Sequence, residues 1–343
     1  MFRTLLVVGA LAASLAAMSP AKARDLTIAL RGDLVEPVRE ALIKPFTEAT
    51  GIPVAIVEAS IGLDALKAHG AGADDGWDLV MAEPPLMQAG CDQGLLAKLD
   101  WEAIGGKDHY QTLGAGDCSV GALLEATALT WDRDKFPASP TWADFWDIAK
   151  YPGKRGLRRG ARGTLEIALM ADGVAPGDIY RTLRGGDGVE RAFRKLDQLK
   201  PYLSFWQASG EGPKSLGAGD VLMTSALVTR IVAIDRDEHR NFGIQWNGAL
   251  LRVEGWAVVK DSPNAAAAVK LLAFAGDAKM ARALAAIGLG GLMKGGGDGL
   301  PPELAAICPA VTANQASALV IDAQFWRDDG EKLAARFDAW MQR

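Results

Sequence analysis

The chain has 343 residues, 49% of them hydrophobic and 23% charged, with a net charge of −5. That length and composition describe a globular protein able to bury a sizeable core, of the size that divides into two lobes. The acidic balance excludes a dedicated nucleic-acid binder and a protein held on an anionic membrane surface.

Arg3 supplies a short positive start, Leu5 to Met18 is almost wholly apolar, and Ala21-Lys22-Ala23 is an A-x-A cleavage pattern. These are the three parts of a secretory signal peptide, residues 1–23. The apolar run is shorter than the ~20 residues a spanning helix needs. No Cys stands near the cleavage point to carry a lipid. Cleavage removes Arg3 and Lys22 and no acid, leaving 35 basic against 42 acidic side chains, a net charge of −7. The expected location is the periplasm. An oxidising compartment favours pairing two of the three cysteines. Cys91 and Cys118 flank a moderate loop and are the favoured pair, which leaves Cys308 odd. Three buried thiols are the alternative.

Asp25 to Leu30 reads as a first strand, broken by Gly32 and Asp33. Val35, Val38, Leu42 and Phe46 fall at helical spacing, and Gly51 stops that helix. Ile52 to Val57 is a strand, Ile61 to Ala68 a short helix, and Trp77 to Met81 a third strand. Pro84-Pro85 opens another helix. This alternation predicts an α/β sheet with crossover helices. Ala126 to Trp131 is strand-like, and Thr141 caps a helix through Ile148. Residues 164–171 and 188–200 are amphipathic helices. Leu203-Ser-Phe-Trp206 and Val221 to Ser225 are strands, and a helix starts near Ala226. Gly255 to Lys260 is a strand, and the rest reads as helix to Trp340. The layout predicts one lobe of residues 24–131 plus 255–343 and a second of 132–254, with chain crossings near Trp131 and Glu254. Ligand sites favour such a boundary, at the carboxyl ends of strands.

No catalytic motif stands out. His69, His109 and His239 have no His or Cys at metal-ligand spacing. Gly295-Gly296-Gly297 lacks the phosphate-loop pattern. Asp74-Asp75 and Asp328-Asp329 sit in polar contexts that suit a solvated face. Neither a metal nor a cofactor is expected, and the chain reads as a non-enzyme.

Thr141-Trp-Ala-Asp-Phe-Trp-Asp147, Tyr151-Pro-Gly-Lys-Arg-Gly-Leu157 and Thr164 to Pro176 occur in collinear order with Gly219-Asp-Val-Leu-Met-Thr-Ser225. Trp77-Asp78 and Cys91-Asp-Gln-Gly-Leu-Leu96 precede them, and Phe325-Trp326, Arg336-Phe337 and Trp340 follow. In this ordered set the chain resembles the spermidine/putrescine-type substrate-binding proteins of ABC importers. The resemblance implies a type II periplasmic binding fold, two α/β lobes closing about a two-crossover hinge. It implies a monomer that captures a small solute and hands it to an ABC permease in the inner membrane. It also implies the Cys91–Cys118 disulfide. Where such proteins often carry acids, this chain has Arg158-Arg159-Gly160-Ala161-Arg162-Gly163. Glu254, near Trp256, keeps the acid of the second crossover.

Candidate ligand-binding residues are Arg31, Asp33, Ser60, Glu83, Thr164, Trp206, Ser225 and Glu254, with Glu83 and Glu254 favoured for a cation. Each has a plainer alternative where the residues allow one: Trp206 as core, Arg31 as a surface ion pair, Asp33 as the cap of the following helix. Trp142 and Trp146 are read as helix packing. The expected ligand is a polyamine-like or other amine-bearing solute, with a zwitterionic amino-acid-like compound as the variant. A secreted enzyme on this scaffold needs a cleft nucleophile bonded to a base. A sensor that presents its ligand to a membrane receptor is the other alternative.

Overall fold

A computed structural model describes residues 24–70, 72–73 and 75–343. The expected signal peptide, residues 1–23, lies outside the described residues. Among the described residues ten strands form one sheet. They are β1 (Leu26–Leu30), β2 (Val54–Glu58), β3 (Leu79–Ala82), β4 (Val120–Asp132), β5 (Arg155–Arg158), β6 (Leu203–Trp206), β7 (Met223–Leu227), β8 (Phe242–Val258), β9 (Gly290–Gly291) and β10 (Leu319–Val320). The order is β2-β1-β3-β8-β4-β7-β5-β6, with β10 on β8 and β9 on β4. The parallel pairs β1–β2, β1–β3, β5–β6 and β5–β7 mark the two ends as separate crossover units. The long antiparallel strands β4 and β8 join them. β3 pairs with β8 at Gly255–Val258, whereas β7 pairs with β4 at Thr127–Trp131.

Two large cores sit at the two ends. One gathers Leu26, Ile28, Phe46, Leu79, Trp256 and Leu271. The other gathers Leu157, Leu165, Phe193, Met223, Phe337 and Trp340. Helix Gly188–Leu199 shows how the pattern drives this: Ala192, Phe193, Leu196 and Leu199 share one buried face. The last helix, Ala323–Met341, was grouped by sequence with the first end. It buries Phe325, Trp326, Leu333, Phe337 and Trp340 in the second core instead.

The first helix runs Gly32–Val38 and Lys44–Thr50 with a π turn, Arg39–Ile43, between them. Pro45 has no N–H to bond the Ala41 carbonyl, which accounts for the wider turn. The helix begins before Asp33, so Asp33 is a first-turn acid and not its cap. Thr141 caps its helix as expected, in a capping box with Asp144, though the helix ends at Trp146. The tail is less helical than its composition implies, since β9, β10 and irregular stretches interrupt it. β8 is 17 residues long and begins well before Gly255. Asn247-Gly248 resembles a turn, yet the strand continues through it as a bulge, with Gly248 at φ 74°. The ladder to β4 skips from Gln245 to Leu250 there.

Among the described residues no helix is long and apolar enough to cross a membrane. Cys91 and Cys118 are disulfide-bonded across 27 positions, and Cys308 is a buried free thiol. Closing a loop of that length removes about 3.5 kcal/mol of unfolded-chain entropy. Replacing both cysteines with Ser is expected to lower stability by about that amount in urea unfolding. An unchanged midpoint would show that the bond adds nothing.

Candidate functional site

The middle of the sheet opens into a two-armed cleft. The larger arm holds about 540 Å³ and the smaller about 320 Å³, both suited to a small solute. Arg31, Arg158 and Arg252 line both arms and so form the wall between them.

The strand ends and alternation put these side chains here. Arg31 follows β1, Ser60 follows β2 and Glu83 follows β3, all at carboxyl ends. Arg252 and Glu254 stand two apart on β8 and share a face, as Glu125 and Thr127 do on β4. The register sets Glu125 directly opposite Arg252.

Arg31 donates to Asp33 at 2.7 Å, to Glu125 at 3.1 Å and to Glu254 at 3.2 Å. It is therefore the hub of a cleft network rather than a lone surface pair. Arg162 reaches across the cleft and bonds both carboxylate oxygens of Glu83. Arg252 lies 3.6 Å from Glu83 and 3.5 Å from Glu125. Arg159, at the rim, pairs only at 3.5 Å with exposed Asp338. Arg158 has no side-chain partner among the described residues. Partial desolvation in the cleft lowers its pKa, and repulsion from Arg252, Arg31 and Arg162 adds to that. Asp33 offsets part of that repulsion.

Glu254 is 3% exposed. Burial pushes its carboxyl up to about 7; Arg31 and Arg252 pull it down, while Glu83 and Glu125 raise it. The cleft thus offers an acid that ionises near neutrality beside a cation that no side chain bonds among the described residues.

The other candidates divide. Ser60, Glu83 and Glu254 line the larger arm, Asp33 and Trp206 the smaller, and Arg31 both. Trp206 is 6% exposed with its indole N–H unpartnered, so it is both wall and core. Thr164 and Ser225 line neither arm. The Thr164 hydroxyl turns back to the Arg158 carbonyl at 3.0 Å, where it holds the arginine loop from beneath. Ser225 lies inside the sheet, paired with Leu129. Trp142 and Trp146 pack as expected, donating to the Gly248 and Lys195 carbonyls.

Sequence reasoning did not assign Arg158, Arg159, Arg162, Arg252, Glu125 or Trp326 to the site. Period-two alternation was the available signal for Arg252, since Glu254 was already a candidate. The arginine loop was visible as a departure, but its side-chain directions were not.

The description of bacterial extracellular solute-binding proteins matches this chain over residues 41–296. A gamma-aminobutyric acid-binding protein of Pseudomonas aeruginosa is 38% identical over 331 residues, covering 96% of this chain and 94% of that protein. A solved ABC transporter substrate-binding protein from Bradyrhizobium japonicum is similar at a TM-score of 0.77 and 28% identity, covering 92% of this chain and 98% of that one. The structure of a GABA receptor is similar at a TM-score of 0.76 and 26% identity, covering 93% and 98%.

Proposed function

Because the chain belongs to the bacterial extracellular solute-binding proteins, we infer that it is the receptor component of an ABC importer for a small zwitterionic amine, such as an ω-amino acid. The observation that carries this reading is the pairing of charges in the cleft. Glu83 and Glu125 each serve two arginines, and Asp33 serves Arg31. What is left over is the cation Arg158, which no side chain bonds among the described residues, and spare acceptor capacity on Glu254, which holds only the longest of Arg31's three bonds. A ligand carboxylate satisfies the first and a ligand ammonium the second. A polyamine has no group for Arg158 and meets four further guanidinium groups, so the amine-bearing ligand carries a carboxylate too. The GABA ligands named for two similar proteins have this chemistry.

We place the hinge in β4 and β8 between the two cores, with the last helix moving with the second core. The Arg162–Glu83 pair already spans the cleft, so opening would break it and closure over the ligand would remake it. Export to the periplasm, monomeric form and a membrane permease as partner complete the reading. The residues lining the cleft include no His, and the acids there are engaged by arginines, which favours capture over catalysis.

A thermal-shift panel tests this. 4-Aminobutyrate and 5-aminovalerate are expected to raise the melting temperature, by several degrees at a hundredfold excess over Kd. Putrescine and spermidine are expected to leave it unchanged. A shift from the diamines alone contradicts the reading.

A further inference from the structure

Glu166 is fully buried, and no cation stands against it among the described residues. Three donors converge on it instead. The Gly163 N–H reaches Oε2 at 2.8 Å, while the Tyr180 hydroxyl at 2.8 Å and the Trp326 indole N–H at 2.7 Å share Oε1. These donors come from distant places. Gly163 ends the loop that carries Arg158 and Arg162. Trp326 lies on the last helix, 160 residues away, and lines the larger arm of the cleft with Gly330 and Ala334. Both are cleft walls, and Glu166 lies behind them.

We propose that Glu166 is a positioning residue that joins the arginine loop and the Trp326 wall into one unit without touching the ligand. The chemistry requires both carboxylate oxygens. All three partners donate, so both oxygens accept; burial raises the pKa of this carboxyl, and the three donors act against that rise. A Gln there offers one acceptor oxygen and turns an NH2 group toward a donor, leaving at least one bond unmade. The bond to Trp326 fixes the indole plane at the cleft, and the bond to Gly163 fixes where the arginine loop meets its helix. Thr164, by bonding the Arg158 carbonyl, pins the other end of that loop.

Hydrogen exchange on the folded full-length chain tests the coupling, comparing wild type with Glu166→Gln and Trp326→Phe. The second variant keeps an aromatic ring and deletes the indole N–H, so it decides the matter if the first does not fold. In both, exchange at residues 158–163 and 323–334 is expected to rise roughly tenfold or more. Exchange in β1 and β2 stays as in wild type. Acceleration spread evenly over the chain, or confined in Trp326→Phe to the last helix, overturns the proposal. Affinity for 4-aminobutyrate is the second readout and rests on the function proposed above. It is expected to fall about tenfold in both variants; unchanged affinity beside loosened walls also overturns the proposal. If wild type does not bind 4-aminobutyrate, that counts against the ligand reading, and the exchange result alone decides the role of Glu166.

Discussion

Arg158→Ala is expected to weaken 4-aminobutyrate binding about a hundredfold while leaving the unliganded protein as stable as before or slightly more so. The two effects separate because Arg158 holds nothing in the free protein. It has no hydrogen-bonded side chain to orphan among the described residues, and it faces three cations, Arg252, Arg31 and Arg162, against the one acid Asp33. Removing it relieves repulsion. In the complex the same guanidinium would hold a carboxylate by charge-assisted hydrogen bonds, and losing one partner of such a pair costs about 2–5 kcal/mol. Calorimetric titration and thermal unfolding of the two proteins read both quantities. A variant that binds as tightly as wild type removes Arg158 from the site. Arg155, three positions earlier, shows the contrast. It is fully buried and donates to the carbonyls of Phe145, Tyr151 and Gly153, so its role is to hold a turn.

Acidity is expected to act on Glu254 with opposite signs for stability and binding. Its folded pKa of about 7 lies above the ordinary 4.5, chiefly through burial. The folded state therefore holds a proton that the unfolded state has released between those values. Stability from this group is fully present below pH 4.5 and is lost as pH rises to 7, by on the order of 3 kcal/mol. Binding runs the other way. An ammonium prefers the ionised acid, so affinity should climb toward tenfold per pH unit below 7 and level off above it. The complex should release a proton on forming at pH 6. Glu254→Gln should flatten both profiles, raise the melting temperature at pH 8, and weaken binding there about a hundredfold. Affinity independent of pH between 5.5 and 8 would remove Glu254 from ammonium binding.

Much of the fold was legible because its signals are local. The alternation of strands and helices through β3 follows from periodicity and breakers, and the Thr141 cap from a Thr placed just before a helical run. The disulfide came from cysteine count and resemblance. The sequence placed a strand only from Gly255, and the earlier part of β8 is set by its pairing with β4 on either side of the Gly248 bulge. The last helix was assigned to the wrong core because its aromatic face names no partner. Carboxyl ends of strands are where Arg31, Ser60 and Glu83 line the cleft, whereas Glu254 stands inside β8. Side-chain direction defeated the rest. Thr164 begins a helix, and its hydroxyl turns back toward Arg158. Ser225 is buried on β7 and lines neither arm. Glu125 meets Arg252 across 127 positions of sequence, a contact that depends on register and not on composition.

The most direct test is a crystal structure with the tightest-binding member of the ω-amino acid and diamine panel. The expected complex has an amino acid in the cleft, its carboxylate on Arg158 and its ammonium at Glu254. A diamine as the tightest ligand, or an amino acid seated with its carboxylate away from Arg158, would contradict the account.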